Sequence, residues 1–99
     1  METKNITAEK SRIKVKRPKH YKVVMHNDDY TTMQFVVYIL TTVFNKKTEE
    51  ASKIMLDVHQ KGKGVAGIYP YDIAATKVSI AMSAAEEEGF PFKLTIEEE

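Results

Sequence analysis

The stretch HNDDYTTMQFVV, residues 26–37, sets a histidine, an amide and two adjacent carboxylates directly before an abrupt apolar run. Acceptors of this kind can cap a helix start or form a socket for a cation. Asp28 and Asp29 could also suggest acid–base catalysis, but adjacent acids in a loop before a helix are more often cap and turn residues. His20, His26 and His59, with the two acids, could offer nitrogen and oxygen to a metal. No two histidines, however, have the i, i+4 spacing that would set both on one helix face. A nucleophile site has less support, with no cysteine and no serine in a glycine-rich elbow. The glycines of KGKGVAG follow a helical pattern rather than a strand and match no phosphate or dinucleotide fingerprint. A folded chain can still bring His26 and His59 together, which keeps a metal-dependent enzyme as a third reading, but no catalytic residue, metal or cofactor is assigned on these grounds. A helix cap and a cation socket remain.

The elements around these groups must position them. Tyr21, Val23 and Met25 alternate with Lys22, Val24 and His26, which predicts a strand with one better buried face. Thr31 and Gln34 have capping-box spacing, so a helix is expected from about Thr32 to Phe44, with Val36, Ile39, Leu40 and Val43 inward. On this reading Thr31 starts the helix and leaves Asn27 and Asp28 free to face a guest. Thr48 is expected to cap a second helix, with Glu49 and Glu50 in its first turn. Ala51, Ile54, Met55, Val58 and His59 then follow helical spacing, placing His59 at the end of an apolar stripe. There it is either a packing residue or a partner brought beside the polar loop. Met25, Met33 and Met55 read on their own as core filler. Gly62 and Gly64 close this helix, and Val65 to Tyr69 reads as a strand stopped by Pro70. A third helix fits Tyr71 to about Glu88, with Ala74, Val78, Ala81, Met82 and Ala85 on one side, before Gly89 and Pro91. Phe92, Leu94 and Ile96 alternate as a last strand. Three short strands cannot hide an apolar face alone. The expected fold is therefore an α+β two-layer domain of order β-α-α-β-α-β, a three-stranded antiparallel sheet covered by three helices.

Ninety-nine residues suffice for one modest core, and 42% of them are hydrophobic, which favours folding over disorder. The absence of cysteine excludes disulfides and thiolate zinc sites. No apolar stretch is long enough to span a bilayer, and the first twenty residues lack the apolar segment of a secretory signal, so a cytoplasmic protein is expected. The net charge of +1 hides an asymmetry. Lys4, Lys10, Arg12, Lys14, Lys16 and Arg17 face only Glu2 and Glu9, while the chain closes on Glu97, Glu98 and Glu99. No aromatic residue interleaves the basic run, which reads as a solvated tail rather than a nucleic-acid contact. Residues 1–18 are expected to be a flexible basic N-terminal extension, and residues 19–99 the core.

The blocks YKVVMHNDDYTTMQFVV, MLDVHQKGKGVAGIYPYDIAATK and GFPFKLTIEE resemble the bacterial ClpS adaptor family, from about Tyr21 to Ile96. ClpS-like domains have the same β-α-α-β-α-β order, which also resembles the C-terminal domain of the ribosomal stalk protein. The resemblance implies a non-enzymatic, likewise monomeric receptor for N-degrons, proteins whose first residue is Leu, Phe, Tyr or Trp. Such a receptor delivers its cargo to a ClpA- or ClpC-type AAA+ unfoldase partnered with the ClpP protease. It implies that Asn27, Asp28 and His59 hold the α-amino group and that Met33 is a gatekeeper against β-branched first residues. Met25, Val36, Met55, Val58 and Phe92 match positions of the side-chain pocket. Asp29 and Thr31 fall in the supporting loop and cap, and Asp72 and Lys77 match positions used toward the unfoldase. The chain departs from the family's pattern at Thr32, where proline is frequent, at Asp72, where glutamate is common, and at Phe92, where leucine is often found. A stalk-like domain that recruits translation factors through a helical surface is the main rival reading.

The implied ligand fits the residue chemistry. A free amino terminus is an ammonium with three donors, and its socket needs acceptors from several directions with at least one negative charge. The Asn27 side-chain carbonyl, the Asp28 carboxylate and a neutral His59 ring nitrogen supply them. Acetylation would remove the charge and donors together, so selectivity for free termini is expected.

Overall fold

The computed structural model describes residues 18–99. The extension expected over residues 1–18 lies outside them apart from Pro18. The elements, in chain order, are β1 (His20–His26), α1 (Met33–Thr42), α2 (Thr48–Lys61), β2 (Lys63–Pro70), α3 (Tyr71–Glu88) and β3 (Lys93–Glu98). The sheet runs β2-β1-β3 with both pairings antiparallel, so the first strand is central.

Alternation in β1 sends Val23 and Met25 to the helix-covered face, where both are wholly buried. They join Phe35, Val36, Ile39 and Leu40 of α1, Ala51, Ile54 and Val58 of α2, and Leu94 of β3 in one core. Val24, on the opposite face, is also buried but stands outside that cluster. Val23 pairs with Gly67 and Val24 with Val65, so Ala66 forms a bulge in β2. The α3 face toward the sheet is built from alanines, with Ala74, Ala81 and Ala85 buried. Small side chains let this helix lie close to all three strands. Met82, expected on that face, is instead exposed.

The helix boundaries correct the sequence reading in three places. Thr32, not Thr31, is the N-cap of α1, with extended φ −73° and ψ 151° and a hydroxyl that accepts the Phe35 N–H at 3.1 Å. Thr31 is unavailable because the Asp28 carboxylate holds both its N–H and its hydroxyl. The same helix ends at Thr42 rather than Phe44. Asn45 turns left-handed at φ 57°, and the Lys46 N–H returns to the Leu40 carbonyl at 2.9 Å. Thr48 does not cap α2, because the Lys47 carbonyl already accepts the Ala51 N–H at 2.8 Å and places Thr48 inside the first turn. Glu49 and Glu50 remain in that turn, where the helix dipole favours them. Gly62 closes the helix at φ 91°, a conformation that side chains with a Cβ adopt only at a cost.

Candidate functional site

The end of β1 and the end of α2 are brought together. The Asn27 N–H donates to the Gly62 carbonyl at 2.9 Å, stapling the start of the polar loop to the C-terminus of α2. His59 lies one turn before that glycine and is exposed. The loop then rises through Asp28 to Thr32 and hands the chain to α1, which contributes Met33 and Val36. These segments enclose a cavity of about 250 Å³ lined by Asn27, Asp28, Asp29, Thr31, Met33, Val36, Met55, Val58 and His59. It is smaller than the roughly 300–1,000 Å³ typical of clefts for drug-sized ligands, a size suited to a single side chain.

The wall has two chemistries. Val36 and Val58 are buried, Met55 is half-buried, and Met33 is exposed at the rim. Amide, carboxylate and imidazole groups of Asn27, Asp28, Asp29 and His59 line the remainder. The apolar side can take up hydrocarbon, while the other offers acceptors and negative charge.

Asp28 is not free in the way the sequence suggested. Its Oδ1 accepts the N–H groups of Tyr30 at 2.8 Å and Thr31 at 2.7 Å, and its Oδ2 accepts the Thr31 hydroxyl at 2.8 Å. A carboxylate has about four lone-pair sites, so these bonds leave Oδ2 with a single acceptor position. Burial pushes the Asp28 pKa up, but the hydrogen bonds from the Thr31 N–H, the Tyr30 N–H and the Thr31 hydroxyl outweigh it and hold the pKa below its ordinary value. The carboxylate is thereby fixed in place and kept charged. Asp29, assigned to the supporting loop and cap by its position, makes no hydrogen bond or ion pair among the described residues. It lines the cavity as an exposed carboxylate. The signal that could have found this division is the Asp-x-x-Thr spacing of Asp28 and Thr31, which favours side-chain capture of the loop's own backbone.

Residues 16–95 match the family described as the ATP-dependent Clp protease adaptor protein ClpS. The chain belongs to the ClpS family. It is 55% identical over 89 residues to the ClpS adaptor of Clostridium acetobutylicum, covering 90% of this chain and 88% of that one. It is 50% identical to the ClpS adaptor of Acetivibrio thermocellus over the whole length of both chains. Among solved structures it resembles Agrobacterium tumefaciens ClpS2 bound to L-phenylalaninamide, with a TM-score of 0.80 and 40% identity over 84% of this chain and all of that one. It is accordingly an adaptor of the Clp protease system rather than the protease itself.

The remaining positions that the ClpS resemblance singled out, Met25, Phe92, Asp72 and Lys77, are not among the residues lining the cavity. Met25 is wholly buried in the core and does not line it. Phe92 is buried against Phe35, their rings 5.6 Å apart and edge to face, and borders a separate hollow beside α3. Asp72 stands exposed in the first turn of α3, its Oδ1 accepting the Ile73 N–H at 3.0 Å. Lys77 is partly buried. Its ammonium donates to the Val43 carbonyl at 2.7 Å and sits 5.3 Å from the centre of the Tyr69 ring. Val43 is the C-cap of α1, so this cation rests where the helix dipole favours it. His26, one of the candidate metal ligands, is hydrogen bonded through Nε2 to the Thr95 hydroxyl at 2.7 Å, across the sheet. No described helix is long and apolar enough to cross a membrane.

Proposed function

We propose that this chain is a cytoplasmic, monomeric, non-enzymatic receptor for the free amino terminus of proteins that begin with Leu, Phe, Tyr or Trp. The reading is carried by one observation: a single cavity with an acceptor-rich wall of Asn27, Asp28, Asp29 and His59 opposite an apolar wall of Met33, Val36, Met55 and Val58. An N-terminal residue presents the matching pair of groups, an ammonium and a hydrocarbon side chain, on one α-carbon. L-phenylalaninamide, the ligand of the related ClpS2, carries a free α-amino group and a benzyl side chain and supports the same reading here.

In this reading the ammonium donates to the Asn27 side-chain oxygen, to a His59 ring nitrogen and to the open position on Asp28 Oδ2, with Asp29 adding charge at the mouth. Met33 at the rim narrows the entrance against β-branched side chains. Charge-assisted hydrogen bonds contribute about 1.5–3 kcal/mol each, and burial of a leucine or phenylalanine side chain a similar amount. Association costs roughly 4 kcal/mol or more, which leaves at most about −8 kcal/mol, a micromolar affinity. That strength suits a carrier that must release its cargo.

Delivery is assigned to a ClpA- or ClpC-type AAA+ unfoldase working with ClpP. The first turn of α3, with exposed Asp72, is the proposed contact. Lys77 shapes this surface through its bond to Val43. The test is calorimetric titration of the full chain with a Phe-initiated peptide and its N-acetylated twin. The expected result is micromolar binding of the free peptide and none of the acetylated one. Equal binding of both, or of neither, overturns the proposal.

A further inference from the structure

The two outer strands of the sheet differ. β2 carries the Ala66 bulge and ends on Pro70, features that oppose the addition of another strand. β3 runs from Lys93 to Glu98 without a register shift, proline or glycine, and among the described residues it pairs only with β1. The Glu99 N–H donates to the His20 carbonyl at 3.0 Å, which fixes the phase of hydrogen bonding along the strand. Lys93, Thr95 and Glu97 aim their backbone groups at β1. Leu94 and Ile96 therefore aim theirs outward, along an open edge.

The face that the helices leave uncovered adds a charge pattern. Register sets Lys63, His26 and Lys93 side by side across the three strands, with no carboxylate in the row. Two residues along β3, Thr95 stands beside Val24, and two further on Glu97 stands beside Lys22. The edge thus reads cation, hydroxyl, anion. Set antiparallel to itself about Thr95, that order is self-complementary. Lys93 meets Glu97 twice, Thr95 meets Thr95, and Leu94 meets Ile96 on the helix side. The same register brings the outward backbone groups of Leu94 and Ile96 face to face, as a hydrogen-bonded pair requires.

We infer that two copies of this chain pair through β3 about a two-fold axis, joining their three-stranded sheets into one. Opposite charges across the new strand pair favour it, since each cationic row gains the carboxylate of the other copy's Glu97. Leu94 of the other copy covers Ile96, which is half-buried in the single chain. The outer edges of the joined sheet are both β2, blunted by bulge and proline, so association stops at two. One short edge buries less than the roughly 1,200 Å² of a stable interface, which sets the dissociation constant at about 0.1–1 mM. The single chain therefore remains the receptor proposed above, and no residue of β3 lines its cavity.

The test is NMR diffusion and amide hydrogen exchange of the full chain from about 0.05 to 2 mM, a range that brackets that constant. Exchange of the Leu94 and Ile96 amides should slow as concentration rises. Diffusion should slow more steeply than in Lys93→Glu or Glu97→Lys, each of which sets like charges face to face and weakens pairing about tenfold or more. An equimolar mixture of these two variants should pair again, and so should the double variant, because both arrangements restore opposite charges at each contact. Diffusion no steeper than in the single variants, or a mixture and double variant that both stay monomeric, would overturn the inference. So would protection of Leu94 and Ile96 already complete at the lowest concentration, since the edge would then be occupied within one chain. None of these readouts involves cargo, so failure here leaves the proposed receptor role untouched.

Discussion

Asp28 carries its charge in a setting that the loop organises before any guest arrives. Three internal bonds fix the carboxylate and leave one acceptor position on Oδ2. Asp28→Asn can keep the carbonyl bonds to the two N–H groups but loses the charge and the second oxygen. It should weaken binding of a Phe-initiated peptide roughly 10–100-fold, the equivalent of one charge-assisted hydrogen bond, and calorimetry on the folded variant would show it. The depressed pKa gives the same residue a pH signature. Its folded value lies below its unfolded one, so its stabilisation is complete above the unfolded value and is lost as pH falls through the folded one. Urea midpoints of the parent and Asp28→Asn should accordingly converge on the acid side; parallel curves would deny the carboxylate that role. Met33 supplies the complementary test. It is 45% exposed at the cavity rim, so Met33→Ala should leave the fold intact while admitting Ile- and Val-initiated peptides, measured by competition against a Phe-initiated one. The family resemblance led to the expectation that Asn27, Asp28, Met33 and His59 belong together, and all four line the one cavity. The internal engagement of Asp28 was not legible in the sequence, because side-chain capture of a loop's own backbone leaves no periodicity to read.

Among the elements, those with strong periodic signals matched the sequence reading, and only some of their ends shifted. The third helix runs from Tyr71 to Glu88 as expected, because Pro70 fixes its start and a left-handed Gly89 its finish. The first helix differs at both ends for local reasons: Asp28 takes Thr31 out of the capping role, and Asn45 turns the chain before Phe44 can continue it. Two adjacent threonines thus have separable duties that single substitutions should distinguish. Thr32→Ala removes the side-chain acceptor for the Phe35 N–H and should cost about 1 kcal/mol, lowering the melting temperature by about 4–8 °C. Thr31→Val retains the backbone donor but loses the hydroxyl bond to Asp28 Oδ2. It should leave α1 capped while weakening peptide binding, as the carboxylate loses a restraint. Thermal unfolding and calorimetry on both variants would show the effects crossing over. Equal loss of stability and affinity in each would return the cap to Thr31. Two residues expected at the pocket, Met25 and Phe92, are not among those that line the cavity. Both flank the cavity in sequence register, yet alternation in β1 sends one into the core, and edge-to-face packing on Phe35 holds the other.

For the whole molecule, the cavity exists only while three separate segments stay assembled. The Asn27–Gly62 staple joins the end of the central strand to the end of α2, and α1 closes the third side. Unfolding any one of them disperses the acceptor wall, so an unfolded chain retains no site for the terminus. A ligand of the native state alone stabilises it by about 2.7 kcal/mol at a free concentration a hundred times its dissociation constant. In a core of this size each kcal/mol moves the midpoint by about 4–8 °C, so saturating Phe-initiated peptide should raise the melting temperature by more than about 10 °C. The acetylated peptide at the same concentration should raise it hardly at all, because its apolar side chain enters without a charged partner for Asp28. A peptide beginning with Asp should also fail, its carboxylate facing the buried Val36 and Val58 and the acidic wall. Differential scanning calorimetry with the three peptides separates the two walls of the site. A shift with the acetylated peptide as large as with the free one would mean that the apolar wall alone supplies the binding, and that the acceptors opposite it hold nothing.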